Sequence, residues 1–213
     1  GRYPNGTGDF IAMPPTFGIE NTTFASGQYD DLVINEFMAD NETTVTDQDG
    51  EYDDWIELYN NGDAELAMLG VYLSDDVTEP NMWAFPDTTI AAGGYLVIWA
   101  DDDEQEGLHA NFKLSKSGET IILSEPSLAV VDEISYGEQF TDTTTGRFPN
   151  GTGEFMLMQP TFGMENTSGI TAIDDVGQVT ELSMTAFPNP FAEKLQIAFE
   201  LENSSPVTVE LHN

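Results

Sequence analysis

DDWIELYN, at residues 53–60, is the stretch that decides the fold of this chain. Ile56 and Leu58 alternate with larger or polar side chains, and such a period of two divides side chains between the faces of an extended strand. An acid-rich run precedes it at 47–54, and the turn-forming residues Asn-Asn-Gly-Asp follow at 60–63. The stretch therefore predicts a central β-strand, with the acidic loop before it as the place for any function. The face opposite Ile56 and Leu58 receives Trp55, Glu57 and Tyr59.

Further short apolar or alternating stretches predict the other strands of a sandwich. They lie at 32–39, 68–73, 82–85, 95–100, 120–123 and 129–134. Gly, Pro, Asn and Asp separate them, and no segment keeps the apolar period of a helix over three turns. We therefore expect an all-β, immunoglobulin-like β-sandwich with almost no helix.

The charge of the chain is extreme, because 5 basic residues face 39 acidic ones and the formal net charge is -34. Such a surface repels phosphate backbones and anionic membranes, so we expect no nucleic-acid partner. No apolar run approaches the roughly 18 residues of a membrane span, so we expect no membrane insertion. No Cys is present, which excludes disulfides and zinc–thiolate sites. The acidity fits either a solvated surface for saline surroundings or cation binding.

The first part of the chain recurs later in it. Residues 1–22 return at 146–167 with 16 of 22 positions identical. We therefore expect residues 1–30 to be the end of a preceding repeat plus a linker, in a tandem array of units about 145 residues long. In the second copy, Pro-Asn-Gly-Thr-Gly predicts a turn, and the apolar residues at 155–158 are expected along an edge of the sandwich.

Four motifs together resemble the lamin tail domain, in its bacterial secreted branch. They are INEFMA at 34–39, DDWIELYNNGD at 53–63, LGVYLSDD at 69–76 and FPDTTIAAGGYLVIWADDD at 85–103. The resemblance covers residues 31–167 and implies an immunoglobulin-like sandwich. Bacterial members are commonly accessory modules beside hydrolases or parts of large surface proteins. The basic surface that could suit nucleic acid in related animal tails is not matched here.

The end of the chain has a different character. Residues 168–181 are small, polar and acidic, as linkers are. Residues 182–213 contain FPNPF at 187–191 and alternating apolar residues at 195–199 and 207–211, which predict two strands. This part is similar to the C-terminal sorting domain of the type IX secretion system. The similarity implies a short β extension from a partial second β domain, the type IX machinery as a partner, and a secreted or outer-membrane cell-surface location.

Loops after alternate strands share one end of a sandwich, so we expect the loops at 40–54, 74–81 and 101–118 to meet. Calcium takes six to eight hard oxygen ligands and tolerates irregular loops, so it is the natural candidate for a cofactor at this acidic end. The spacing at 47–53 is not that of an EF-hand, because its glycine comes at the fourth position. A solvated acidic surface without metal is the alternative. The candidate ligands are Asp47, Asp49, Glu51, Asp53, Asp54, Asp75, Asp76, Asp101 and Asp103.

Catalysis has little support in the sequence. The histidines, His109 and His212, lie outside any nucleophile or zinc motif, and His109 is expected in a surface loop. We therefore expect no enzymatic activity but a structural or adhesive module of a large secreted or cell-surface protein. The alternative is a carbohydrate-binding accessory module of an exported hydrolase, with an exposed aromatic such as Trp83 against polysaccharide. For Trp55 and Trp99, core packing is the favoured interpretation.

Overall fold

The computed structural model describes residues 1–10, 17–18, 27–103, 105–167, 184–187 and 196–199. By its internal contacts the chain divides into two units, Gly1–Ile170 and Thr171–Asn213. The described ranges contain strands, turns and bends but no helix. A helix of membrane-spanning length and hydropathy is accordingly not found in them.

The strands share an extended backbone and short length. In chain order they are β1 (Arg2–Tyr3), β2 (Asp9–Phe10), β3 (Leu32–Met38), β4 (Trp55–Asn60), β5 (Leu66–Ala67), β6 (Tyr72–Ser74), β7 (Trp83–Ala84), β8 (Thr89–Ile90), β9 (Tyr95–Ala100), β10 (His109–Ala110), β11 (Thr120–Ser124), β12 (Val130–Ser135), β13 (Thr144–Phe148), β14 (Glu154–Met158), β15 (Met184–Phe187) and β16 (Gln196–Phe199).

Two larger sheets form the body of the first unit. The six-stranded sheet has the order β10-β9-β4-β3-β13-β14, antiparallel except for the pair β9 and β10. The four-stranded sheet has the order β12-β11-β6-β7 and is antiparallel throughout. Two short pairs, β1 with β2 and β5 with β8, complete this unit. The predicted all-β, immunoglobulin-like sandwich is confirmed.

The two larger sheets enclose one hydrophobic core. The central strand contributes Ile56 and Leu58, and Ile56 lies opposite Ile98 of β9. The four-stranded sheet contributes Leu73 and Leu123 to the same cluster. Burying each such side chain stabilises the fold by about 1.5–3 kcal/mol, so the alternation at 53–60 accounts for which face of this strand meets the core.

The other face of the six-stranded sheet is covered by the chain itself. We call residues 146–167 the closing segment, because they run through β13 and β14 and then across the outer face of this sheet. The ring of Phe162 lies 5.1 Å from that of Trp55 and 5.5 Å from that of Trp99, measured between centroids. Both tryptophans are buried there with Met38, in a cluster separate from the main core. Both faces of the central strand are therefore buried.

One predicted strand is only partly formed. At 68–73, the N–H of Val71 donates to the carbonyl of Met68 at 2.9 Å, and Gly70 has a φ of +83°. These features make a turn, so only Tyr72–Ser74 at its end joins a sheet. The turn predicted in the closing segment is confirmed, since the N–H of Gly153 donates to Pro149 O at 2.7 Å. The residues after it form β14, an edge strand as expected, whereas the strand β13 was missed.

The second unit contains one described strand pair. β15 and β16 are antiparallel, with Met184 opposite Phe199 and Phe187 opposite Gln196. The strand predicted at 195–199 is therefore present. The predicted linker at 168–181 and the predicted strand at 207–211 lie outside the described residues.

Candidate functional site

The first and third acidic loops meet at one end of the sandwich. Gln48 Nε2 donates to the carbonyl of Glu106 at 3.0 Å, which joins the first loop to the third. Lys116 Nζ donates to a carboxylate oxygen of Asp40, a second link between these loops. The charge of Asp75, in the second loop, raises the pKa of Glu119 beyond the effect of burial. For the first and third loops, the expectation that they meet therefore agrees with the contacts.

Three of the nine candidate ligands form a compact trio. Asp47, Glu51 and Asp53 each offer a carboxylate oxygen, and these oxygens all lie within 4.8 Å of one another. Ligands on opposite sides of a calcium ion are about twice the Ca–O distance of 2.3–2.6 Å apart. The trio therefore has the spacing of a partial calcium shell.

The loop is shaped around the first of these acids. Asp47 Oδ1 accepts hydrogen bonds from the N–H groups of Asp49 and Glu51, both at 2.9 Å. Gly50 has a φ of +87°, in the left-handed region where a side chain is strained. One oxygen of Asp47 is thus used by the backbone of its own loop.

Asp53 is the residue most in need of a counter-charge. Its Oδ2 is buried and accepts no hydrogen bond among the described residues. Burial raises the pKa of Asp53, and the negative charges of Asp101, Asp47 and Glu51 raise it further. A cation at this position would supply the missing partner and remove the repulsion.

The other acids of the first and third loops have partners of their own. Asp54 Oδ1 accepts the N–H of Asn41 at 3.3 Å, and burial raises the pKa of Asp54 to about 7. Asp101 is buried, with Oδ2 hydrogen-bonded to Nδ1 of His109 and Oδ1 accepting the N–H of Asp103 at 3.1 Å. Asp101 thus acts on the trio by electrostatic repulsion, because its negative charge raises the pKa of Asp53. Asp49 and Asp103 are exposed at the rim.

The second loop contributes separately. Asp75 is half-buried, and burial followed by the charge of Asp76 raises its pKa. Asp76 Oδ1 accepts hydrogen bonds from both the N–H and the hydroxyl of Thr78 at 2.7 Å, so it organises its own turn. Neither residue belongs to the trio of Asp47, Glu51 and Asp53.

The expectation that His109 lies in a surface loop is wrong. His109 forms β10, which pairs in parallel with β9 so that His109 lies opposite Trp99. Its ring is buried between Asp101 and Gln48, whose Nε2 is 2.8 Å from Nε2 of His109. His109 thus links Asp101 to Gln48 through hydrogen bonds at the acidic end of the sandwich.

A second polar site was missed by sequence reasoning. Glu36 and Glu57 are fully buried on the outer face of the six-stranded sheet, beneath the closing segment. Glu57 Oε1 accepts from Asn35 Nδ2 at 2.8 Å, and its Oε2 accepts from the N–H of Gly163 at 2.6 Å. Glu36 Oε1 accepts the N–H of Thr161 at 3.0 Å. The two glutamates therefore fasten the closing segment to the sheet.

Burial dominates the electrostatics of this second site. It raises the pKa of Glu57 to about 7, against hydrogen bonds from Asn35 and Gly163 that lower it. Burial likewise raises the pKa of Glu36, opposed by hydrogen bonds from Thr144 and Thr161. The available sequence signal was the placement of two acids inside apolar strands, together with the recurrence of Thr161 and its neighbours near the N-terminus.

The aromatic residues show mainly core packing. Trp55 and Trp99 are buried, as favoured from their mid-strand positions. Trp83 is half-buried, and its ring lies edge-on to that of Phe85 with centroids 4.7 Å apart. Among the aromatics near the acidic end, Tyr52 is about half exposed. These contacts favour packing over a flat sugar platform.

The comparisons with known proteins identify the family. The family model of the lamin tail domain matches residues 25–138. No curated protein matches the chain. The matched range contains the central strand, both larger sheets except β13 and β14, and the acidic loops. Since this range is more than half of the 213 residues and folds as an immunoglobulin-like sandwich, the chain belongs to the lamin tail domain family.

Proposed function

We propose that the chain is a non-catalytic structural or adhesive module of a large secreted or cell-surface protein. One observation carries the proposal: both faces of the six-stranded sheet are covered by the protein itself. The inner face packs on the four-stranded sheet, and the outer face lies under the closing segment, with Phe162 against Trp55 and Trp99. A sandwich fastened on both sides suits a load-bearing or spacing role.

Calcium is the proposed stabiliser of the acidic end. Support comes from the trio of Asp47, Glu51 and Asp53, whose carboxylate oxygens lie within 4.8 Å of one another. The unpartnered, buried Oδ2 of Asp53 adds to it. A bound cation would hold the carboxylates of Asp47, Glu51 and Asp53 together in the loop before β4, and so would rigidify this end of the sandwich.

Neighbouring repeats and the type IX secretion machinery are the proposed partners. The recurrence of residues 1–22 at 146–167 supports the repeats. The similarity of residues 182–213 to a sorting domain supports export and a location outside the cell, either released or held at the outer membrane. The high negative charge is also compatible with export, because like charges on the surface keep a secreted chain soluble.

Pulling experiments test the structural role. The full chain, held between two reference domains in a force spectrometer, is expected to give a discrete unfolding event for the sandwich. The force of this event should rise when calcium is added to chelator-treated protein. Unfolding at forces no higher than those of an unstructured linker would contradict a load-bearing role.

A binding test separates this role from the alternative of a carbohydrate-binding accessory module. Affinity electrophoresis of the full chain through marine and plant polysaccharides is expected to show no retardation, with or without calcium. Retardation that is lost in Trp83→Ala would favour the accessory module. Retardation that is retained in Trp83→Ala would also contradict the proposal, and would place the sugar elsewhere on the surface.

A further inference from the structure

The N-terminal residues fold into a copy of a hairpin that closes the sandwich. β1 pairs with β2 so that Arg2 lies opposite Phe10, and β13 pairs with β14 so that Arg147 lies opposite Phe155. The next pair also corresponds, since Tyr3 lies opposite Asp9 as Phe148 lies opposite Glu154. The two hairpins therefore have the same register.

The side-chain contacts of the two hairpins correspond as well. The guanidinium of Arg2 lies 4.3 Å from the ring centroid of Phe10, and that of Arg147 lies 4.3 Å from the centroid of Phe155. Nη1 of each arginine donates to the carbonyl two residues before that phenylalanine, at 2.8 Å and 3.1 Å respectively. The conformation is thus encoded within the hairpin itself.

The positions of the closing segment at which the two copies differ are all exposed. The closing segment has five buried and six half-buried positions, and each of these carries the same residue type in 1–22. Its buried positions are Gly146, Gly151, Met158, Thr161 and Asn166. The six differing positions, all on the solvent side, are Phe148, Glu154, Met156, Leu157, Gln159 and Met164. Residues 1–22 therefore keep the residue type at every position where the closing segment is buried or half-buried.

That surface recognises a specific set of groups, which we call the slot. Arg147 Nη2 binds Asp132, and the N–H of Gly151 donates to Asn35 Oδ1 at 2.9 Å. Farther along, Thr161 donates to Glu36, and Phe162 packs on the two buried tryptophans. Residues 1–22 carry the matching groups as Arg2, Gly6, Thr16 and Phe17.

We propose that residues 1–22 are a second closing segment, and that they bind the slot of a second copy of this chain. In the N-terminal copy, Phe10 is 73% and Phe17 104% exposed, whereas the matching Phe155 and Phe162 are half-buried in the slot. Transfer of these rings into a slot removes apolar surface from water, which provides the driving force. The contact joins two sandwiches through exchange of a closing segment.

This inference deepens the proposed repeat organisation, because it names the surface by which one repeat engages another. In each copy the slot is already filled by residues 146–167, which are covalently attached and hence present at high effective concentration. A segment from another molecule binds when this internal occupant is weakened.

A transplant tests whether the slot accepts the N-terminal sequence. In the full chain, F148Y/E154D/M156I/L157A/Q159P/M164I converts residues 146–167 into the sequence of 1–22. We expect the Tm to stay within about 5 °C of the parent, because only exposed positions change. Asn166→Ala should then lower the Tm by a similar amount in the parent and in the transplant. A collapse of the Tm in the transplant alone would overturn the inference.

Association tests the second copy as partner. Arg147→Ala weakens the internal closing segment of the full chain and leaves the sequence of the N-terminal copy unchanged. Sedimentation at rising protein concentration is expected to show dimers for Arg147→Ala and monomers for Arg2→Ala/Arg147→Ala. A synthetic peptide with the sequence of residues 1–22 should raise the Tm of Arg147→Ala by about 5 °C or more at a hundredfold excess over its Kd.

Two results would overturn this exchange. One is a folded Arg147→Ala chain that stays monomeric at all concentrations. The other is a peptide of residues 1–22 that leaves the Tm unchanged, with its Arg2→Ala version as the matched control. Neither result bears on the pulling or polysaccharide experiments, so failure of the exchange is distinguishable from failure of the proposed structural role.

Discussion

Asp132 and Arg147 connect the two sheets of the sandwich, because Nη2 of Arg147 lies 3.0 Å from each carboxylate oxygen of Asp132. Both side chains also reach the backbone of Ile34 in β3. Asp132 Oδ2 accepts the Ile34 N–H at 2.9 Å, and Arg147 Nε donates to the Ile34 carbonyl at 2.9 Å. The register of β3 against β4 shifts just after this residue. The ion pair thus satisfies backbone groups that an irregular ladder leaves open.

Removal of this carboxylate should destabilise the fold strongly. Asp132→Ala leaves a mostly buried guanidinium and the Ile34 N–H without their acceptor, at a cost of about 2–4 kcal/mol. Urea denaturation followed by tryptophan fluorescence gives the free energy of unfolding. Glu133→Ala, exposed on the same strand, is the matched control and should change it by less than about 0.5 kcal/mol. Equal effects of the two substitutions would show that the pair is dispensable.

The buried Glu57 should make stability fall as the pH rises. Burial raises its pKa to about 7 in the folded protein, against an ordinary value of 4.5. Between these two values the folded protein holds a proton that the unfolded chain has released, so the free energy of unfolding decreases with pH over this window. The contribution is complete below pH 4.5 and is lost as the pH passes through about 7.

Glu57→Gln should flatten this dependence. The substitution keeps the size of the side chain and removes the charge, so the drop in unfolding free energy between pH 4.5 and 7.5 should shrink by roughly 2–3 kcal/mol. Denaturation midpoints measured across this range, at constant ionic strength, provide the test. Glu133→Gln is the exposed control and should keep the parental slope. A parental slope in Glu57→Gln would mean that Glu57 does not titrate in this window.

The alternation of side chains was enough to predict the main core but not what covers the other face. Ile56 and Leu58 point to the partner sheet as the pattern at 53–60 requires. The same pattern gives no information on residues more than 100 positions away, and Phe162 reaches Trp55 from there. The closing segment is rich in Gly, Pro and Asn, which predict turns, and its strand β13 is formed by pairing with β3.

The two polar sites differ in predictability for the same reason. Asp47, Glu51 and Asp53 lie within seven residues, so a single loop can bring them together and spacing suffices. Glu36 and Glu57 acquire their role only when Thr161 and Gly163 arrive from the end of the domain. Their burial therefore follows from the tertiary structure and not from the local pattern.

The glycines of the closing segment allow a test of how closely it fits the sheet. A Cβ on Gly151 would lie 2.6 Å from Cδ1 of Tyr59, whereas a Cβ on Gly163 would meet nothing within 4 Å. Both residues have a positive φ, +69° and +74° respectively. The two alanine substitutions therefore share the backbone strain, and only Gly151→Ala adds a clash.

Gly151→Ala should lower the free energy of unfolding by about 1–3 kcal/mol more than Gly163→Ala. Thermal denaturation of both variants, compared with the parent, measures the difference. The Tyr59→Ala background should largely remove it, because the clash partner is then absent. An equal loss in the two glycine variants would mean that the turn of the closing segment does not press on Tyr59.

Asp53 provides the sharpest test of the calcium proposal, because its replacement should have opposite effects with and without the ion. Burial, and then the charges of Asp101, Asp47 and Glu51, raise the pKa of Asp53 and disfavour its ionised carboxylate, so Asp53→Asn should raise the Tm of chelator-treated protein. With calcium in large excess over its Kd, the parent should gain about 5 °C or more. Asp53→Asn should gain much less, since a ligand charge is lost, and the order of the two Tm values should reverse.

Thermal scans in moderate salt, which screens exposed charges, measure the Tm of both proteins with and without calcium. Asp87→Asn, an exposed acid outside the trio, is the control and should follow the parent in each condition. If calcium shifts parent and Asp53→Asn equally, the ion acts by general screening and the trio does not bind it.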